Sequence, residues 1–262
     1  INTKEKEVIT MTDKYELTDN VRTVNGHTLH QIKALKDFGD VKKGDLGGWV
    51  EGYNNLSQTG LAWVYDNALV FNNAKVYGNA QVFDLTKIYN YAQVFDNVQV
   101  FGDVQVFDNA KVFGNVQVFD NVQVFGDAQV FGSAKVFGSA KVWGSAKIYD
   151  NTHVFDNAVI YGNTRVHDHA QVYGHTLVFG DSLIWGNARV YGNALIYGYA
   201  WVYDNAQVYD NAQVCDSARV CDNAHVCGNA RVYGDSIVSV ALKVCNNVAF
   251  FGDTNVDDNS KS

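Results

Sequence analysis

From Ala62 to Val256 a six-residue pattern repeats without insertion or deletion: small, polar, aliphatic, aromatic, Gly or Asp, then Asn, Ser or Asp. Ala80-Gln81-Val82-Phe83-Asp84, Ala134-Lys135-Val136-Phe137-Gly138 and Ala188-Arg189-Val190-Tyr191-Gly192 are typical copies. An aliphatic residue stands at every sixth position from Val64 to Val244, followed in register by Phe250 and Val256. A fixed short period of this kind is the signature of a solenoid.

Within one unit the Ala and Val lie two residues apart, as do the polar residue and the aromatic. Strand alternation therefore sends one pair inward and the other outward. Gln, Lys and Arg choose the direction, because burying them repeatedly without partners is too costly. The last two residues of the unit are of the types that accept left-handed backbone and tight turns. Each unit is one short strand and one corner. Three sides close a triangular coil of eighteen residues, so residue i stacks on i+18 at about 4.8 Å, and about eleven coils make a rod of about 50 Å. Identical corners stacked in this way form Asn ladders that favour uniform parallel pairing.

The pattern resembles the hexapeptide-repeat, left-handed parallel β-helix proteins, in which an aliphatic residue is followed four positions later by a small one. The resemblance covers about three quarters of the chain. The expected fold is all-β: a single-stranded left-handed parallel β-helix with a small N-terminal β cap, the left hand being implied by the resemblance. One departure stands out. The residue after the aliphatic, usually small or acidic in that family, is here Phe, Tyr or Trp in most units.

Ahead of the repeats the pattern changes. Tyr15-Glu16-Leu17 and Val21-Arg22-Thr23-Val24 lead into Asn25-Gly26 and then Thr28-Leu29-His30-Gln31-Ile32. Asn-Gly between alternating runs is a strong hairpin signal, and a hairpin here would cover the open edge at one end of the rod. The expected organisation is a loose tail over 1–12, a hairpin cap with an irregular first coil over 13–61, the β-helix over 62–257 and a C-terminal tail over 258–262. Gly47-Gly48-Trp49-Val50-Glu51, Leu56-Ser57-Gln58 and Trp63-Val64-Tyr65-Asp66 resemble the amino-terminal part of YdcK-like bacterial proteins. Acyl transfer is ascribed to that family, so the resemblance implies acyl-CoA as co-substrate.

Composition narrows the picture. There is no Pro, as long runs of paired strand require. No apolar run is long enough to span a membrane, and Ile1 to Thr10 are charged and without a signal-peptide core, so a cytoplasmic location and no membrane partner are expected. A net charge of -8 argues against nucleic acid as a partner.

Asp is abundant, yet almost every Asp from Asp66 to Asp253 occupies a corner position. Turn chemistry explains that restriction and a catalytic carboxylate pair does not. His167, Asp168 and His169 stand at an outward site and the corner after it, with His175 at the next corner and His153 on an outward face. By resemblance, acyltransferases of this fold use an outward His as general base at a subunit boundary. His167 is the one candidate. The donor-wrapping loop and trailing helix of such enzymes have no counterpart in this sequence, so no catalytic, cofactor or metal residue is assigned. Cys215, Cys221 and Cys227 fall on three different sides, too dispersed for one metal, and are expected as small surface residues. Cys227 and Cys245 stack, but reduced thiols are expected. Lys135, Lys141 and Lys147 girdle the rod one per side, which suits protection against aggregation better than nucleic-acid binding.

The outward aromatics leave an interaction surface to explain. One side carries Tyr65, Phe83, Phe101, Phe119, Phe137 and Phe155 in a column, an apolar stripe longer than soluble monomers usually expose. In coils six to eight the outward polar position also turns apolar. Val159, Leu177 and Leu195 stack on one side beside Tyr161, Phe179 and Tyr197, while Leu183 and Trp201 stack on the next beside Trp185 and Tyr203. The expected function is a non-enzymatic scaffold or binding protein, homo-oligomeric or engaging a protein partner, suited to a phage or prophage accessory factor. The alternatives are an acyl-CoA-dependent acyltransferase and an acidic nucleic-acid mimic.

Overall fold

The computed structural model describes residues 13–252 and the backbone of 255–256. The tails expected over 1–12 and 258–262 lie outside the described residues. Those described form strands and turns with no helix.

Most units contribute a two-residue strand such as Lys135–Val136, and two, Gln99–Gly102 and Gln117–Asp120, contribute four residues. Units eighteen residues apart pair in parallel, Gln117 with Lys135 and Val118 with Val136, so the predicted coil is the structural repeat. Three sheets result, one of fourteen strands and two of eleven. The first face runs from Leu69–Val70 to Ala249–Phe250, the second from Lys75–Val76 to Asn255–Val256, and the third from Trp63–Val64 to Lys243–Val244. About eleven turns are stacked, as the period requires. Inside, Ala134, Val136, Ala188 and Val190 are fully buried, and their counterparts form one continuous core. At several sites where Ser or Thr replaces the inward Ala, the hydroxyl donates to the carbonyl three residues back, whereas Thr86 reaches Gly102 O at 3.4 Å and the buried Thr176 hydroxyl has no hydrogen-bond partner among the described residues. Thr152 reaches Tyr149 at 2.7 Å, Thr164 reaches Tyr161 at 2.8 Å and Ser182 reaches Phe179 at 2.7 Å. A polar group is thereby kept in the core at little cost.

The corners show why Asp is confined there. The residue after the aromatic has positive φ in coil after coil: Asp150 at 58°, Asp168 at 61°, Asp210 at 59°, Gly192 at 74°. Gly, Asn and Asp tolerate that conformation best. Asp adds a bond that Gly lacks, because its carboxylate accepts the corner N–H one coil on. Asp84 takes Gly102 at 2.8 Å, Asp156 takes Gly174 at 3.1 Å and Asp210 takes Gly228 at 3.0 Å. The next corner position carries the amide ladders, with Asn193 donating to Asn211 at 3.1 Å and Asn211 to Asn229 at 3.2 Å. Val240 breaks the rule, a β-branched residue at φ 62°, and its N–H is still taken by Asp222 at 2.9 Å.

The antiparallel cap comprises β1 (Tyr15–Val24), β2 (His27–Ala34) and β3 (Leu46–Val50). Asn25 and Gly26 turn β1 into β2 with φ of 50° and 84°, and β3 then pairs in parallel with Leu69–Val70, which fuses the cap to the first face. Gly47 and Gly48 have no room for a side chain: a Cβ would meet Val64 O at 2.6 Å and Ala68 O at 2.7 Å. Tyr15, Ile32, Leu56 and Trp63 plug the end of the core. The Tyr15 hydroxyl donates to Leu56 O at 2.7 Å, and the buried Lys14 ammonium donates to Ala62 O at 2.7 Å. Burial, with Lys36 nearby, lowers the Lys14 pKa to about 8. At the far end the inward positions become accessible, with Val248 42% exposed.

Candidate functional site

The outward side chains are where chemistry has to be found, and most of them are engaged with each other. Phe101, Phe119, Phe137 and Phe155 stack face to face at 5.0, 4.8 and 4.8 Å. The rings are half-buried. In-register stacking hides the ring faces that a lone surface aromatic would expose. Offset and stacked aromatic pairs add about 0.5–1.5 kcal/mol each beyond area burial. Gln side chains form a parallel ladder beside them, Gln117 donating to Gln99 at 3.1 Å and Gln99 to Gln81 at 3.1 Å.

The regular columns give way on the second face between coils five and eight. His167 takes an aromatic position and stacks on Tyr149 at 4.7 Å, with Trp185 at 6.2 Å on its other side. Trp201 fills the polar column and meets Trp185 edge-on at 5.7 Å, while Trp185 stacks on Tyr203 at 4.2 Å. The Arg219 guanidinium lies over Trp201 at 4.4 Å. On the first face Val159, Leu177 and Leu195 are neighbours in one ladder. Leu183 and Trp201 pair on the second face. The corner between the two rows carries Asp181 and Tyr199, the latter 64% exposed. The rows themselves, with Tyr161, Phe179 and Tyr197, are half-buried.

His167 Nδ1 stands 3.3 Å from Asp168 Oδ1, and Asp168 Oδ2 accepts the Gly186 N–H at 3.0 Å. Partial burial acts to raise the Asp168 pKa, but the Gly186 and His167 hydrogen bonds and the charges of His167 and His169 outweigh it and hold it below the usual range. His169 and His175 are exposed corner residues, and His153 lies on the third face, its pKa lowered by burial and by Lys135. The histidines nearest in sequence thus do not form one cluster. Lys135, Lys141 and Lys147 fall on three different faces.

The cysteines depart from expectation. Cys215, Cys221 and Cys227 are buried rather than exposed; Cys215 lies between the rings of Tyr197 and Tyr233 in the coils before and after it. The Tyr197 hydroxyl interacts with the Cys215 sulfur, which with burial pushes that tyrosine up to about 12. Tyr203 is pushed up to about 12 by burial and by Cys221. Burial raises both thiols, so they are poor nucleophiles. Cys227 and Cys245, expected as reduced thiols, are paired as a disulfide across one coil, with Cα atoms 4.5 Å apart. In-register stacking supplies the proximity.

Recesses of about 640 and 690 Å³ lie at the C-terminal and N-terminal ends of the rod, the first lined by Leu242, Val244, Val248 and Phe250, the second by Tyr53, Leu56 and Tyr77. Neither includes His167.

The YdcK β-solenoid repeat family model matches residues 188–204 and 224–239. A curated relative, "Uncharacterized acetyltransferase YdcK" of Escherichia coli (strain K12), is 39% identical over 67 residues, which is 22% of this chain and 21% of that protein. The chain therefore spans about a fifth of the relative's length. The first matched stretch includes Leu195, Trp201 and Tyr203 of the apolar rows, whereas His167 lies outside both stretches. No helix among the described residues is long and apolar enough to cross a membrane.

Proposed function

We propose that the protein is a scaffold that associates through the edge between its first and second faces in coils six to eight, with a second copy of the chain as occupant. The observation that carries this reading is the paired apolar rows. Val159, Leu177 and Leu195 are bounded by Lys141 one coil before and Gln213 one coil after. Leu183 and Trp201 are bounded by Arg165 and Arg219. Each row is apolar at its centre and polar at both ends, which suits a two-fold contact in which one patch meets itself. A two-fold axis at Leu177 sets Val159 against Leu195 of the partner subunit. Tyr199, 64% exposed, projects at the corner between the rows as the kind of aromatic anchor that interfaces favour.

The variant Leu177→Lys/Leu195→Lys tests the reading. Both side chains point away from the core, so the rod should stay folded, while burying ammonium groups at a dimer interface should weaken association at least about a hundredfold. Light scattering should report a dimer for the wild type and a monomer for the variant. A wild type that is monomeric at high concentration, or a variant with unchanged mass, overturns the proposal. Acyl transfer is the second reading, and the observation favouring it is the relative's printed name, from a match over 22% of this chain. Saturable stabilisation by acetyl-CoA would favour it.

A further inference from the structure

At the corner after the second face, aspartates occupy successive coils twice, Asp150 with Asp168 and Asp204 with Asp222, and only the first pair has a histidine beside it. Elsewhere a corner Asp is commonly followed one coil on by Gly, whose N–H its carboxylate accepts, as for Asp156 with Gly174 and Asp216 with Gly234. Asp150 is followed by Asp168 instead, and the contact from the Asp168 N–H to Asp150 Oδ2 is a long 3.5 Å. Two carboxylates therefore stand one strand spacing apart. Beside them, His167 brings an imidazole to a position that carries Phe113, Phe131, Tyr149 and Trp185 in neighbouring coils of the same column.

We propose that Asp150, His167 and Asp168 bind one divalent first-row transition ion, zinc in the first instance. A ligand atom from each of the three residues lies within 4.8 Å of the others. Ligands bonded to one tetrahedral ion at about 2.0–2.2 Å stand about 3.3–3.6 Å apart; His167 Nδ1 and Asp168 Oδ1 are already at 3.3 Å, and rotation of the exposed Asp150 carboxylate closes the site. The donors are held from behind. Stacking on Tyr149 at 4.7 Å, with the planes 10° apart, fixes the imidazole ring. The Gly186 N–H engages Asp168 Oδ2 at 3.0 Å and leaves Oδ1, 3.3 Å from His167 Nδ1, facing the site. Supporting bonds of this type orient metal ligands.

The donor set selects the ion. One imidazole with two carboxylates suits zinc, cobalt or nickel, whereas calcium and magnesium prefer oxygen throughout and copper(I) prefers sulfur. Asp150 is exposed, so water completes the shell. The ion would neutralise the stacked carboxylates and pin coil five to coil six, on the same face as Leu183 and Trp201. This inference stands independently of the dimer reading.

The test is a titration of the purified chain with cobalt(II), followed by visible absorption, and with zinc(II), followed by calorimetry. The expected result is one ion per chain. His167→Phe restores the ring type of the column and should keep the fold while lowering affinity at least about tenfold. Asp150→Asn, at an exposed corner, should do the same and keeps the test decisive if the first variant misfolds. Asp84→Asn is the control, since the stacked pair Asp66 and Asp84 has Tyr65 and Phe83 beside it and no nitrogen ligand; its affinity should match the wild type. No saturable binding by the wild type, wild-type affinity in both site variants, or an equal loss in Asp84→Asn overturns the proposal.

Discussion

Val136→Asp is expected to abolish cooperative folding of the rod at neutral pH. Val136 is fully buried, with Val118 and Val154 stacked on either side of it. The substitution forfeits about 1.5–3 kcal/mol of apolar burial and places a carboxylate where nothing can pair with it, at an effective cost of several kcal/mol. A domain has about 5–15 kcal/mol in total. In a solenoid each coil contacts only its neighbours, so the defect also uncouples the coils on either side of it. Burial raises the folded-state pKa of the new Asp above its unfolded value. The penalty is therefore relieved at low pH and grows as pH rises through the unfolded value, about 3.9. Thermal denaturation by circular dichroism should show the variant largely unfolded at pH 7, and a cooperative transition within a few degrees of wild type would contradict the burial assignment.

Removing Phe101 to Val118 should leave a folded rod one coil shorter, because the new junction places Phe119 after Val100 and restores every stack. The register supports this, with Val82, Val100, Val118 and Val136 paired in turn. Removing seven residues, Phe101 to Phe107, should destroy the structure beyond the cut. An odd deletion exchanges inward and outward positions, so Gln and Lys would be driven into the core for every following coil. Small-angle scattering should show the eighteen-residue deletion shorter by about 4.8 Å. Equal loss of structure in the two deletions would rule out an eighteen-residue coil.

How much of this was legible follows from what each feature depends on. The coil is a strictly periodic property, so Ala134 and Val136 declare their burial through their spacing alone. The corner role of Asp was legible as a confinement, although the carboxylate bond to the next coil's N–H, as in Asp210 with Gly228, needs the stacked geometry to be seen. Burial of Cys215 was not legible, since it depends on large rings in the coils above and below covering a small side chain. The aromatic columns were legible as rings one strand spacing apart, and that stacking is what half-buries each ring. The eighteen-residue stack already places Asp150 against Asp168; what needed the structure was the turn of His167 Nδ1 to 3.3 Å from Asp168 Oδ1. The apolar rows of coils six to eight were visible because Leu177 and Leu195 break a pattern that is otherwise polar.

The claim that this edge is a contact between two copies is tested most directly by photocrosslinking from position 199. Tyr199 is 64% exposed and sits on the corner between the two apolar rows, so Tyr199→p-benzoylphenylalanine alters neither the core nor the ladders. Irradiation followed by peptide mapping should give a covalent dimer whose crosslinked peptide falls within residues 159–203. A chain that stays monomeric after irradiation, or a crosslink that maps to other coils, would contradict the account.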